Sequence, residues 1–298
     1  MLEGAFGVVL TPFTPRGTVD YDALERELDF LLRSEIPGFF VCGTTGEFVH
    51  LSPEENAAVL QFCAKRLGGK KTLLAGACAS DVNTSAFYMR CAQEAGYRAA
   101  VVCPPYYFTR SQEDIVRFYR ALCKLEICDL VLYNIPFFTA PIARESFLTL
   151  LEEERVIAMK DSSANMKQIC HEIDLAKRVR PDFSILSGTD DCLVPALAAG
   201  CKGSTTAFSV ILPEINAEIY RLFYAGKIQE AMALNQSCLP LLRLAEEVMF
   251  PTGYKMIFRE RGFQMGDCQP NDEEKIRWIA PLIHQELERL LGDAAFIG

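Results

Sequence analysis

Val156-Ile157-Ala158-Met159-Lys160-Asp161-Ser162-Ser163 is four apolar residues followed at once by a charged and polar run. An unbroken apolar stretch of this length suits a strand covered on both faces, as in a parallel sheet, rather than the alternating strand of a half-solvated one. Seven more runs have this character, at 6–10, 38–42, 72–77, 99–102, 130–133, 184–186 and 203–206. They recur about every 30 residues, and polar or Gly/Pro punctuation and then helical periodicity follow the runs. Residues 20–34, 53–67, 83–95 and 112–125 carry apolar residues at spacings of three and four. Ser52-Pro53-Glu54-Glu55 reads as a helix start, with a serine N-cap, proline at the first position and acids in the first turn, and Ser111-Gln112-Glu113-Asp114 repeats the pattern.

Eight such runs predict an α/β fold of the closed (β/α)₈ barrel type, which takes roughly 250 residues, and the chain has 298. After the last run only helical patterns follow, at 213–224, 228–248 and 272–291. The expected organisation is a catalytic barrel over residues 1–225 with a C-terminal helical extension, 226–298, packed on it. A doubly wound open sheet would call for a glycine-rich phosphate turn after the first strand, and Thr11-Pro12-Phe13-Thr14-Pro15 is not one.

The formal charge of -9 argues against nucleic acid as a partner, since a phosphate backbone is held by clustered Lys and Arg. No apolar stretch is long enough for a membrane span and no basic segment precedes an apolar core at the N-terminus, so a cytoplasmic location is expected. The 12 cysteines are scattered, several inside apolar runs, where Cys acts as a small core residue. With no Cys-x-x-Cys pair and only three histidines, at 50, 171 and 284, no metal centre is expected.

Barrel active sites lie at the C-terminal ends of the strands, which directs attention to Gly43-Thr44-Thr45-Gly46-Glu47, Tyr133-Asn134-Ile135-Pro136 and Lys160-Asp161-Ser162-Ser163. An amine drawn into an apolar mouth loses its charge more easily, and a neutral lysine attacks carbonyls. Lys160 equally suits a lysine whose stem lies along apolar surface while its head reaches water. The GTTG turn offers hydroxyls and converging amides for a small carboxylate, or serves as an ordinary tight βα turn. Tyr133 supplies a phenol for proton transfer, or a ring that packs at a strand end.

Taken together, GTTGE at 43, YNIP at 133 and KDSS at 160 resemble the dihydrodipicolinate synthase and N-acetylneuraminate lyase family, and Leu10-Thr11-Pro12-Phe13, Pro105-Tyr106-Tyr107 and Ser187-Gly188-Thr189-Asp190-Asp191 fall in that family's order. The resemblance spans essentially the whole chain. It implies a (β/α)₈ barrel with C-terminal helices, a homotetramer built as a dimer of dimers, and no cofactor beyond a covalent Schiff base on Lys160. It further implies that Tyr133 donates and accepts protons beside the lysine. Thr44 and Thr45, with Gly46, would hold the carboxylate of pyruvate, and Tyr107 would reach into a neighbouring subunit to complete a hydroxyl relay.

One departure bears on the substrate. The synthase branch places an arginine two residues after the proline of its YNxP motif, to hold the carboxylate of aspartate semialdehyde; here Phe138 stands there. A phenyl ring cannot make the bidentate contact. Ser162, Asp190 and Asp191 instead offer hydroxyl and carboxylate partners to a polyol, although the acids also suit a helix N-terminus. Gly188, Gly203 and Ser204 complete the expected substrate-binding set, the last two being equally explained as a small-residue strand near the barrel axis. The expected reaction is reversible cleavage of a 2-oxo-3-deoxy sugar acid, or an N-acetylneuraminate-like 2-oxo acid, to pyruvate and an aldehyde. The alternatives are 4-hydroxy-tetrahydrodipicolinate synthase and a non-catalytic pyruvate-binding sensor.

Overall fold

The computed structural model describes residues 1–296. Eight strands, β1 (Gly4–Val8), β2 (Gly38–Val41), β3 (Thr72–Gly76), β4 (Ala99–Val102), β5 (Leu130–Asn134), β6 (Val156–Asp161), β7 (Ser184–Ser187) and β8 (Gly203–Thr206), close in sequence order into a parallel barrel. The expected strand at 6–10 lies two residues earlier because β1 takes its register from β8, with Gly4 opposite Gly203 and Phe6 opposite Thr205. That closure brings backbones close together: a Cβ on Gly203 would lie 2.0 Å from the Gly4 carbonyl oxygen.

Between the strands run α1 (Tyr21–Arg33), α2 (Pro53–Leu67), α3 (Val82–Glu94), α4 (Gln112–Cys123), α5 (Arg144–Leu150), α6 (Met166–Val179) and α7 (Leu193–Ala199). The starts of α1 to α4 follow from side-chain chemistry. The Ser52 hydroxyl accepts from the Glu55 N–H while the Glu55 carboxylate accepts from the Ser52 N–H, a reciprocal cap, and Ser111, Asp20 and Asp81 cap α4, α1 and α3. Each cap contributes about 1 kcal/mol. The strands are almost wholly buried, and Phe39, Phe40, Val41, Leu74 and Leu132 are fully so, each worth about 1.5–3 kcal/mol of burial.

Beyond β8 come α8 (Phe208–Ile211), α9 (Pro213–Tyr224), α10 (Ile228–Ser237), α11 (Leu239–Glu246), α12 (Thr252–Glu260) and α13 (Glu273–Leu291). The helical pattern over 228–248 is two helices, because Pro240 in the first turn of α11 has no N–H to continue α10. Helix α12 had no counterpart among the periodic stretches. Its polar positions are buried: Lys255 is sealed, and Arg261 just beyond it donates to the Ile211 carbonyl and pairs with Glu214. Among the described residues no helix is long and apolar enough to cross a membrane.

Candidate active site

Alternation along β6 sends Lys160 and Asp161 in opposite directions. Lys160 points into the barrel, its Nζ 4.3 Å from the centroid of the Tyr133 ring and 5.0 Å from that of Phe40. Asp161 points the other way, accepting from Asn134 Nδ2 at 2.5 Å and from the Ser163 N–H at 2.9 Å. The neighbouring strand reinforces this, since Tyr133 lies opposite Lys160 and Asn134 opposite Asp161 in the ladder. One polar pair therefore pins the strand ends together outside while the other faces the lumen.

Lys160 is 4% exposed, and among the described residues its amine has no hydrogen-bond partner. Burial pulls its pKa down to about 7; Cys78 and Asp190 push weakly the other way. An amine that is neutral about half the time near pH 7 is a usable nucleophile. Tyr133 is buried too, and its hydroxyl lies 3.1 Å from Thr44 Oγ1 and within reach of the Ser162 hydroxyl. Burial holds the phenol above its ordinary range, so it carries its proton at neutral pH.

The turn that presents Thr44 is fixed by its neighbours. Thr11 Oγ1 donates to the Gly46 carbonyl at 2.6 Å, the Glu47 N–H donates to the Thr44 carbonyl at 3.0 Å, and a Cβ on Gly46 would lie 2.8 Å from the Val9 carbonyl oxygen. Thr45 is buried behind it. On the opposite side a Cβ on Gly188 would lie 1.9 Å from Ser162 Oγ and 3.0 Å from Lys160 Cε, so the absence of a side chain there makes the space beside the amine. Asp190 is partly buried, with desolvation raising its carboxyl to about 7 and its buried Oδ1 lacking a partner among the described residues.

Two predicted residues, Asp191 and Ser204, are turned away from Lys160 by other partners. Asp191 turns outward to pair with Arg243 of α11, so its carboxylate is already engaged. The Ser204 hydroxyl accepts from Tyr220 on α9, on the outer face of β8, and Gly203 is explained by the close approach of β1. Strand alternation was the available signal: Thr205, opposite lumen-facing Phe6, carries a buried hydroxyl without a partner among the described residues. Tyr107 is 90% exposed at φ +76°, its ring edge-on to Phe108, and it does not touch Tyr133 within the chain. Phe40 was not picked out, although its place on the second strand puts it under the lysine.

Thr44 opens onto a cavity of about 350 Å³ walled by Tyr106, Ile135, Phe138, Thr139 and Phe250. No Lys or Arg stands among its described lining residues, whereas Glu47 does.

A model of the dihydrodipicolinate synthetase family matches residues 1–275. The chain belongs to that family. Its relatives include a 4-hydroxy-tetrahydrodipicolinate synthase of Kosmotoga olearia, 31% identical over 247 residues covering 82% of this chain and 83% of the relative. A second, from Acetivibrio thermocellus, is 29% identical over 270 residues, 90% of each chain. Among solved structures, a 2-keto 3-deoxygluconate aldolase from Picrophilus torridus superposes with a TM-score of 0.83 at 27% identity, covering 89% of this chain and 96% of that one. Dihydrodipicolinate synthetase family members are pyruvate-dependent lyases and aldolases, and this protein is an enzyme of that class, acting on small molecules.

Proposed function

We propose that the protein makes and breaks a carbon–carbon bond between pyruvate and an uncharged, hydroxylated aldehyde through a Schiff base on Lys160, the aldehyde being of the kind released from 2-oxo-3-deoxy or N-acetylneuraminate-like sugar acids. The observation that carries this reading is the buried amine of Lys160, unpaired among the described residues and lying over the ring of Tyr133, whose hydroxyl meets Thr44. The neutral amine adds to the 2-oxo carbon, and water leaves with protons passed by Tyr133. The iminium then takes up the electron pair of the breaking bond, the aldehyde departs, and hydrolysis of the protonated enamine frees pyruvate. In this reading Thr44, Thr45 and Gly46 hold the carboxylate, with Ser162 and Asp190 as hydroxyl partners. No cofactor is required for these steps.

Aspartate semialdehyde fits the cavity poorly. Its carboxylate would enter a space lined by Phe138 and the acid Glu47, with no Lys or Arg among the described lining residues to receive it. Tyr107, outward-facing and held in a left-handed conformation, suits a role in a partner's site within a dimer or a dimer of dimers. Borohydride reduction in the presence of pyruvate, followed by peptide mass spectrometry, should give an adduct on Lys160; its absence would overturn the mechanism. A panel of 2-oxo acids assayed for pyruvate release, beside a coupled assay with aspartate semialdehyde, then decides the substrate: robust turnover of the semialdehyde would overturn the sugar-acid reading alone.

A further inference from the structure

A second group of reactive side chains lies beside the cavity and takes no part in this chemistry. Glu47 ends the GTTGE turn in a left-handed conformation, φ +57°, at the start of the short 3-10 turn Phe48–His50. Its buried carboxylate meets His50 three residues on and Cys268 of the C-terminal segment. The separations are 3.1 Å from Glu47 Oε2 to His50 Nδ1, 3.0 Å from Cys268 Sγ to Glu47 Oε2, and 2.9 Å from Cys268 Sγ to His50 Nδ1.

These three atoms form a nearly equilateral triangle. Above such a triangle, an ion about 1–1.5 Å out of the plane stands roughly 2.0–2.3 Å from every corner, the bonding range of zinc to nitrogen, oxygen and sulfur. Hydrogen bonding alone closes the triangle less well, because two protons, on Sγ and Nδ1, must serve three edges. A thiolate, an imidazole and a carboxylate suit zinc and its neighbours, whereas calcium and magnesium take oxygen ligands.

The surroundings support the assignment. Lys255, fully buried, pairs with the other carboxylate oxygen, Oε1, which fixes the orientation of Glu47 and keeps Oε2 turned toward His50 and Cys268, as the outer partners of metal-bound carboxylates do. Carboxylate, thiolate and ammonium together leave one negative charge facing a dication. Cys268 is also held in place. Two residues earlier, Gly266 packs so tightly that a Cβ would lie 1.8 Å from the Phe13 carbonyl oxygen, while its own carbonyl accepts from the Phe13 N–H at 3.2 Å and from Lys255 Nζ at 2.9 Å.

We propose that Glu47, His50 and Cys268 bind a zinc-class divalent cation that clamps the C-terminal segment to the turn carrying Thr44. On binding, the Cys268 thiol releases its proton to solvent as the sulfur–metal bond forms, and the His50 proton passes through solvent from Nδ1 to Nε2, which frees the Nδ1 lone pair for the metal. Sequence spacing could not disclose the site, since Cys268 lies 218 residues from His50.

The test is competition of the full chain for Zn²⁺ against a chromophoric chelator, with Co²⁺ as a spectroscopic probe. One equivalent of Zn²⁺ should be withheld, and Co²⁺ should give a thiolate charge-transfer band in the near ultraviolet. Cys268→Ser should abolish that band, and both Cys268→Ser and His50→Gln should weaken Zn²⁺ binding by more than the roughly 10–100-fold that losing an outer partner costs. Both side chains are partly exposed, so circular dichroism should show folded variants. Failure to withhold Zn²⁺, or wild-type affinity in either variant, overturns the proposal; the latter would place the ion elsewhere, for example at exposed Cys170.

Discussion

The molecule buries two lysines and treats them in opposite ways. Lys255, in the C-terminal layer, is fully sealed but donates to the Gly266 carbonyl, pairs with Glu47 and lies 4.5 Å from the centre of the Phe13 ring. Lys160, in the barrel mouth, is almost as deeply buried and has aromatic rings but, among the described residues, no acceptor. A buried ammonium that is partnered keeps its charge and ties the fold together; one without a partner gives up its proton and becomes reactive. The difference separates a structural lysine from a chemical one more sharply than burial does.

Substitutions can break that contrast. Lys160→Ala should lower turnover by at least about 10⁴-fold and remove the borohydride adduct, because the covalent route is gone. Tyr133→Phe should retain the adduct with a loss of about 10²–10⁴-fold in turnover, read by steady-state kinetics. Lys255→Met, which strands Glu47, should cost about 3–5 kcal/mol in denaturant unfolding. Lys160→Met should instead gain about 0.5–2 kcal/mol, as relief of a site kept for function. Since the folded pKa of Lys160 is lowered to about 7, its penalty is fully present below pH 7 and fades as pH rises toward the ordinary value of about 10.4, so the gain should fade over the same window.

The same proton sets the rate. Trapping by pyruvate should quicken about fivefold from pH 6 to pH 7 as the amine becomes neutral around its lowered pKa of about 7; a rise of about tenfold would mean an amine with an ordinary lysine pKa, and a flat profile one already neutral at pH 6. The smallest effect is expected at Arg243→Ala. Its half-exposed pairing with Asp191 should be worth under about 1 kcal/mol by unfolding, with little change in KM, since that carboxylate does not face the substrate.

The barrel was legible because eight buried strands impose eight apolar runs, and the caps at Ser52 and Ser111 mark helix starts by local chemistry alone. Lys160, Tyr133 and Thr44 were legible by their positions at strand ends, and the structure brings them together. What escaped depends on long-range pairing. Asp191 was claimed by Arg243 from a helix 52 residues away, and the Ser204 hydroxyl was turned outward by a register that only barrel closure fixes. Helix α12 escaped because its core-facing positions include Lys255, which no apolar pattern can reveal.

The missing side chain at Gly188 limits how the enzyme can diversify. With Ser162 Oγ only 1.9 Å from where a methyl carbon would sit, that wall tolerates no incremental change. Phe138 and Phe250 border open volume and carry large rings that can be pared back one step at a time. A laboratory evolution campaign seeking bulkier aldehydes should therefore accumulate its changes along that far rim, while the glycine beside the lysine stays fixed.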